Sequence, residues 1–562
     1  MRFRFALFVF ALLISSGCRS NNADGPVTAS IIFLGGRILT LTERDADSPA
    51  TAVVVTGSGI AYVGDDAGAK QLQGPDTQVI DLAGATLLPG FVDSHCHLYG
   101  LGASLAQIDA VGTPSAAAVA RLVEEAAKTA GDDGSWLEGR GWDQNDWVKQ
   151  VYPDRALLDA VSGDHPVLLR RIDGHAAWAN SKALEAAGIT AETADPVGGQ
   201  IVRDATGRPT GILIDNAVDL LRGAIPEPDR AEQMRRIELA LDHCARFGVT
   251  GVHEAGLDWE RLGIYSELDA AGKLTLRVYG MFDDMPEVLA RARSEGPFTS
   301  PDGMITARAV KLYADGALGS RGALLLADYA DQPGSRGLAV TPPEHLLEVA
   351  RELGEAGFQI CTHAIGDGAN RMVLDIYAEA LPELGGADRR WRIEHAQIVD
   401  SADIPRFAEL GVIAAMQPTH CTSDMDWVPQ RLGPARQAGA YAWKSLLDSG
   451  AHLCFGTDFP IERVDPRLGL YAARTRQHTD GTPAGGWQPD GRLDGRTAVE
   501  LYTAESAYAA FLENASGRIK LGFRADFTVM DGDPSTCNDK DLLDLQVLYT
   551  VVDGRVVFDH QN

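Results

Sequence analysis

Short apolar runs punctuate the middle of the chain, at 91–95, 249–253, 275–280, 308–313, 358–362, 391–394, 412–416 and 451–456. Between many of them the apolar positions take helical spacing, as in 115–130, 231–247, 344–356, 369–382 and 436–449. Eight buried strands alternating with helices predict parallel βαβ units, and eight is the number that closes a barrel. The interval 98–248 is too long for a single crossover. It predicts an inserted subdomain, set at 135–230, with strands of its own at 166–171 and 200–203.

The two ends of the chain read differently. Residues 31–33, 52–55, 61–63 and 78–82 form short strand-like runs, broken by Gly35-Gly36 and Gly57-Ser58-Gly59. Residues 527–531, 546–552 and 556–558 repeat that pattern around an Asp553-Gly554-Arg555 turn. Tight turns between short strands are the mark of antiparallel sheet. The expected fold is therefore α/β: a (β/α)8 TIM-type barrel over 89–514, flanked by a β-sandwich built from 31–88 plus 515–562.

Before the first strand, Arg2 and Arg4 precede an apolar run from Phe5 to Ile14 and then Ser15-Ser16-Gly17-Cys18. A basic start, about ten apolar residues and a small-residue end describe an export signal rather than a membrane span. The Gly-Cys ending resembles a bacterial lipobox, although Ser15 stands where that pattern prefers Leu, Val or Ile. This implies a signal over 1–18, a tether over 19–30 and a periplasmic lipoprotein anchored through Cys18, its only membrane contact. The alternative is a plain cleaved signal and a soluble periplasmic or secreted protein.

Composition narrows the partners. Against 50 Lys and Arg stand 78 Asp and Glu, a net charge of −28. That field repels a polyanion and argues against nucleic acid. Beyond Cys18, six cysteines are widely scattered (96, 244, 361, 421, 454, 537). They suggest buried thiols rather than a disulfide framework or a zinc ribbon. No feature of the sequence bears on oligomeric state.

Chemistry gathers at the strand ends. The first strand runs into His95-Cys96-His97, and side chains two apart on a strand share a face, so both imidazoles can reach one metal. Cys96 between them faces away. Other strands end in His363, His395 and Asp458, and Lys311 lies within a fourth. In a (β/α)8 barrel the C-terminal strand ends meet on one face, so these residues converge.

The order His-x-His, Lys, His, His, Asp on strands one, four, five, six and eight resembles the binuclear amidohydrolase superfamily. The local text is similar to its N-substituted formamide deformylase branch: Pro89 to His95, Lys311 to Arg321, His363-Ala364-Ile365-Gly366-Asp367, Ile393 to Gln397 and Gly456 to Pro460. The likeness covers nearly all of the chain after the export segment.

It implies one or two divalent ions, zinc by the ligand types, although manganese, iron or nickel suit the same donors. His95, His97 and Asp458 would hold one ion and His363 and His395 the other, with Lys311 N-carboxylated as a bridge. A metal-bound hydroxide would attack a small amide-type substrate, with Asp458 as general base and then acid. The same machinery suits a deaminase or an ester or lactone hydrolase. A reading of another class is a non-catalytic, ligand-binding lipoprotein. His175, Arg321 and His420 are the expected substrate contacts, and His253-Glu254 could border the site.

Overall fold

The computed structural model describes residues 28–131, 134–171, 176–196, 199–385 and 388–561. The expected export signal and Cys18 lie outside the described residues. At its centre eight parallel strands form one continuous sheet: β1 (Phe91–Cys96), β2 (Val249–Leu257), β3 (Arg277–Asp283), β4 (Ile305–Tyr313), β5 (Gln359–Ala364), β6 (Arg392–His395), β7 (Ile413–Met416) and β8 (Leu453–Phe455). Each pairs with its sequence neighbour from β1 to β8. All eight expected apolar runs are thus barrel strands, as their near-continuous Val, Ile, Leu and Ala content demands of strands buried on both faces.

Side chains complete the closure between β8 and β1. Thr457 donates to Asp93 through its backbone N–H, 3.0 and 3.1 Å from the two carboxylate oxygens, and through its hydroxyl at 2.6 Å. The Asp458 N–H reaches the His95 carbonyl at 2.8 Å. Gly456 is obligatory at this seam, because a Cβ there would lie 2.6 Å from both Asp93 Oδ1 and the His95 nitrogen.

Five of the expected helices stand close to where periodicity puts them, at Ala116–Ala130, Arg230–Arg246, Pro343–Glu355 and Asp367–Glu383, and, broken, at 436–449. The last consists of a turn at Gln437–Gly439 and a short helix at Trp443–Asp448. The break follows from Tyr441, whose N–H is drawn to the Gln397 carbonyl at 2.7 Å with a φ of 52°. The helix Ala116–Ala130 does not cover the barrel. It packs in one apolar cluster with a six-stranded sheet that already starts at Ile108–Asp109 and runs to Asp215.

The flanking sandwich interleaves both chain ends. One sheet is wholly N-terminal, and the other pairs Thr86–Pro89 with Phe527–Met530, Thr528 facing Leu88. Phe33 and Phe527 meet edge to face across the sandwich core, 5.9 Å between ring centres. The six cysteines 96, 244, 361, 421, 454 and 537 are free, all but Cys537 fully buried. Among the described residues no helix is long and apolar enough to cross a membrane.

Candidate active site

His95 near the end of β1 and His97 just after it reach one side of the chain, while Cys96 turns away and packs its thiol against the His253 carbonyl. Lys311 sits in β4, four residues before the buried Asp315, and His363 lies at the end of β5. His395 ends β6 and Asp458 follows β8. These last two carry left-handed backbone, with φ of 74° and 60°. Alternation along β6 sends Arg392 and Glu394 to one face and would send His395 to the other. Its positive φ is what turns the imidazole back into the same mouth, a local cost of the kind found at functional sites.

The six strand-end residues meet. His97 Nε2 stands 3.2 Å and His95 Nε2 3.7 Å from Asp458 Oδ1, and His420 Nε2 stands 3.8 Å from Asp458 Oδ2. The His395 ring centre is 4.8 Å from that of His95, 4.6 Å from that of His363 and 6.1 Å from that of His420. Lys311 Nζ lies 3.5 Å from His95 Nε2 and 4.4 Å from the centre of the Tyr313 ring. Two sets of ligand atoms lie close enough to share an ion: His95, His97 and Asp458, and His395, His420 and Asp458.

Three of the imidazoles are oriented from behind. His95 Nδ1 bonds Glu394 Oε2 at 2.5 Å, His97 Nδ1 bonds the Ala255 carbonyl at 2.9 Å, and His395 Nδ1 bonds Gln417 Oε1 at 2.8 Å. Such contacts fix which nitrogen offers a lone pair. His363 Nε2 has no hydrogen-bond partner; the nearest carboxylate oxygen, on Asp315, is 3.6 Å away. Asp315 itself is committed to the backbone, accepting from Leu324, Ile365 and Gly366 at 2.7–2.9 Å.

Charge follows burial. Desolvation drops His95 to about 4 and His363 to about 3, and takes His395 well below the ordinary imidazole value, so all three are neutral lone-pair donors at neutral pH. Burial also pulls His97 down, but the adjacent Asp458 carboxylate outweighs it and the net shift is upward. Burial pushes the Asp458 carboxyl up, and His97, His95, His395 and His420 more than reverse this, holding it far below the usual carboxylate range. Lys311 is buried with no carboxylate in ion-pair reach among the described residues, and desolvation lowers its pKa.

Several of the molecule's unsatisfied buried atoms gather in this cluster. Asp458 Oδ1 and His420 Nε2 are buried without a hydrogen-bond partner, the contact from His97 to Asp458 being off line for one. Orphaned buried polar atoms are rare and costly. Imidazole, carboxylate and amine donors converging on one buried point fit a divalent cation.

Other expectations separate here. His420, at the start of the helix after β7, does reach the cluster. Arg321 spends its guanidinium on Asp331, at 3.1 and 2.9 Å, in a loop-bracing pair that Arg431 also joins. His175 lies outside the described residues. His253 and Glu254 do not line the mouth: His253 packs behind Arg392, and Glu254 accepts from the backbone of Leu98 and Tyr99. Sequence reasoning missed Arg392, Glu394, Gln417 and Tyr313 as neighbours of the cluster. For Glu394 a signal existed, a carboxylate next to an expected ligand on a buried strand.

Comparison with known proteins shows the family. The amidohydrolase family model matches residues 78–558. The Bacillus subtilis protein YtcJ, itself named an amidohydrolase, is 35% identical over 534 residues, 94% of this chain and 99% of its own length. The N-substituted formamide deformylase of Arthrobacter pascens is 28% identical over 537 residues, 93% and 97% of the two chains. Among solved structures, an uncharacterised metal-dependent hydrolase of Pyrococcus horikoshii superposes with a TM-score of 0.73 at 30% identity, covering 91% of this chain and 99% of its own.

Proposed function

Because the chain belongs to the amidohydrolase family, enzymes acting on C–N bonds, we propose that it hydrolyses an amide-type bond of a small molecule at a divalent-metal centre held by His95, His97, Lys311, His363, His395 and Asp458. The observation that carries this reading is the buried Asp458 carboxylate, which is ionised, ringed by imidazoles and left with an unpartnered oxygen. Metal supplies an activated water and a Lewis acid for the scissile carbonyl. Zinc suits the imidazole-rich donor set.

The chain's own groups do the rest. Neutral His95, His363 and His395 present lone pairs without first losing protons. Asp458, at the seam between β8 and β1, is placed to take a proton from the attacking water and return it to the leaving nitrogen. His420 Nε2, unpartnered and 3.8 Å from Asp458 Oδ2, faces the same space and is read as a substrate contact. Lys311 is the residue we propose to be N-carboxylated. Burial favours its neutral amine, the form that adds to CO₂ with loss of a proton to solvent, and the resulting carbamate would offer anionic oxygens to the metal in place of an amine.

The test is elemental analysis of protein purified with bicarbonate, with Lys311→Ala beside it, followed by an amide screen. About two metals per chain, falling in the variant, support the reading. One metal untouched by the variant makes Lys311 structural. Metal-free protein inert toward amides sinks the proposal.

A further inference from the structure

Behind the candidate ligand His95 runs a chain of three buried side chains, Glu394, Arg392 and His253, that metal binding by itself does not require. Glu394 is fully buried and accepts three charge-assisted or polar contacts: Arg392 Nε on Oε1 at 2.7 Å, Arg392 Nη2 on Oε2 at 2.9 Å, and His95 Nδ1 on Oε2 at 2.5 Å. Arg392, equally buried, is held in turn by the Ser94 carbonyl at 2.6 Å and by His253 Nδ1 at 2.7 Å. A bidentate guanidinium leaves the carboxylate no rotational freedom. Glu394 is therefore an acceptor with a fixed direction, pointed at one nitrogen of one histidine.

We infer that Glu394, locked by Arg392, is a positioning residue that sets His95 in the tautomer carrying its proton on Nδ1, so that the Nε2 lone pair faces Asp458 and Lys311. An ionised carboxylate can only accept, so Nδ1 must donate, and a neutral imidazole then has Nε2 free. Both Glu394 oxygens accept from the Arg392 guanidinium, at 2.7 and 2.9 Å, the geometry of a carboxylate paired with an arginine, so Oε2 meets His95 Nδ1 as an acceptor. His253 belongs to the same chain. Its Nδ1 accepts from Arg392, and burial keeps it neutral, so that it braces the guanidinium without repelling it. The bare alternative is that Glu394 only neutralises a buried arginine.

The inference rests on the metal reading above, and the test separates the two. Glu394→Gln keeps the size of the side chain but leaves one carbonyl oxygen for three N–H donors, those of Arg392 Nε, Arg392 Nη2 and His95 Nδ1, so an amide N–H must face at least one of them. Even where that oxygen stays on His95, the imidazole loses the charged, clamped acceptor that holds its proton on Nδ1. Zinc affinity, measured by competition with a chelator, is expected to fall about 10–100-fold, with the near-UV circular dichroism unchanged. Independently of any variant's folding, ¹⁵N-histidine spectra of the metal-free wild type, with His95 assigned through His95→Gln, are expected to show the Nδ1–H tautomer. Unchanged zinc affinity in Glu394→Gln, or an Nε2–H tautomer in the wild type, overturns the inference. If zinc loss comes with a changed fold, the tautomer decides. Wild type that binds no zinc at all removes the metal reading while the tautomer still reports on Glu394.

Discussion

The two ends of the barrel handle buried charge in opposite ways. At the N-terminal end Arg277 is buried and fully matched, with Asp526 at 2.7 and 3.0 Å and Asp553 at 3.0 Å. Thr528 and Thr550 tie the sandwich to the Gly248 and Ala245 carbonyls just before β2, each at 2.6 Å. At the C-terminal mouth the buried polar groups are just as dense, yet Asp458 Oδ1, His363 Nε2 and His420 Nε2 are left without partners. The matched charge at one end ties the sandwich to the barrel, and the unpartnered atoms clustered around Asp458 at the other leave room for a ligand. Stability is thus concentrated at one end and chemistry at the other.

Asp458→Asn is the strongest test of that division. It is expected to lower kcat/KM on an amide substrate by at least about 10²–10⁴-fold while leaving the thermal midpoint unchanged or raised, because a site held for function is not optimised for stability. A variant that mainly unfolds would make the mouth a stability element after all. The mirror experiment is Arg277→Met, which strands Asp526 and Asp553. Thermal unfolding is expected to show a loss of about 3–5 kcal/mol, with metal content per chain untouched.

Acidity offers a subtler probe. In the metal-free site His95 and His363 titrate at about 4 and about 3, whereas His97 is raised by Asp458 against the pull of burial. The raised group holds its proton below its own pKa and must lose it to a metal. Zinc affinity should therefore rise with pH from the acid side of the ordinary imidazole range, where at least one proton, that of His97, is released per chain. Calorimetry in buffers of different ionisation enthalpy counts the protons released, and no release there would contradict a protonated His97. The smallest effect is expected of Arg321→Ala. Its solvent-screened pair with Asp331 contributes little to stability, and KM should not move. A KM raised about tenfold would return Arg321 to the substrate.

Much of this was legible in the chain. Eight apolar runs became eight strands because a sheet covered on both faces tolerates little else, and the ligand types stood at the strand ends where a barrel gathers them. His95 and His97 could be paired from their spacing alone. The inserted sheet was harder: its first strand, Ile108–Asp109, has two residues and no periodicity to read. The broken helix at 436–449 shows the same limit, since a distant carbonyl on Gln397, not local propensity, turns the backbone at Tyr441.

What the sequence determined by itself is the barrel and the set of residues that end its strands, because burial on two faces and the β-strand period leave their mark on every local window. What only the tertiary structure decided is direction and partnership. His395 enters the mouth because its φ is 74°, Glu394 faces His95 because Arg392 clamps it, and Arg321 turns to Asp331 because a loop brings that carboxylate within 3 Å. A side chain's partner depends on where residues far along the chain come to rest, and no local pattern carries that distance.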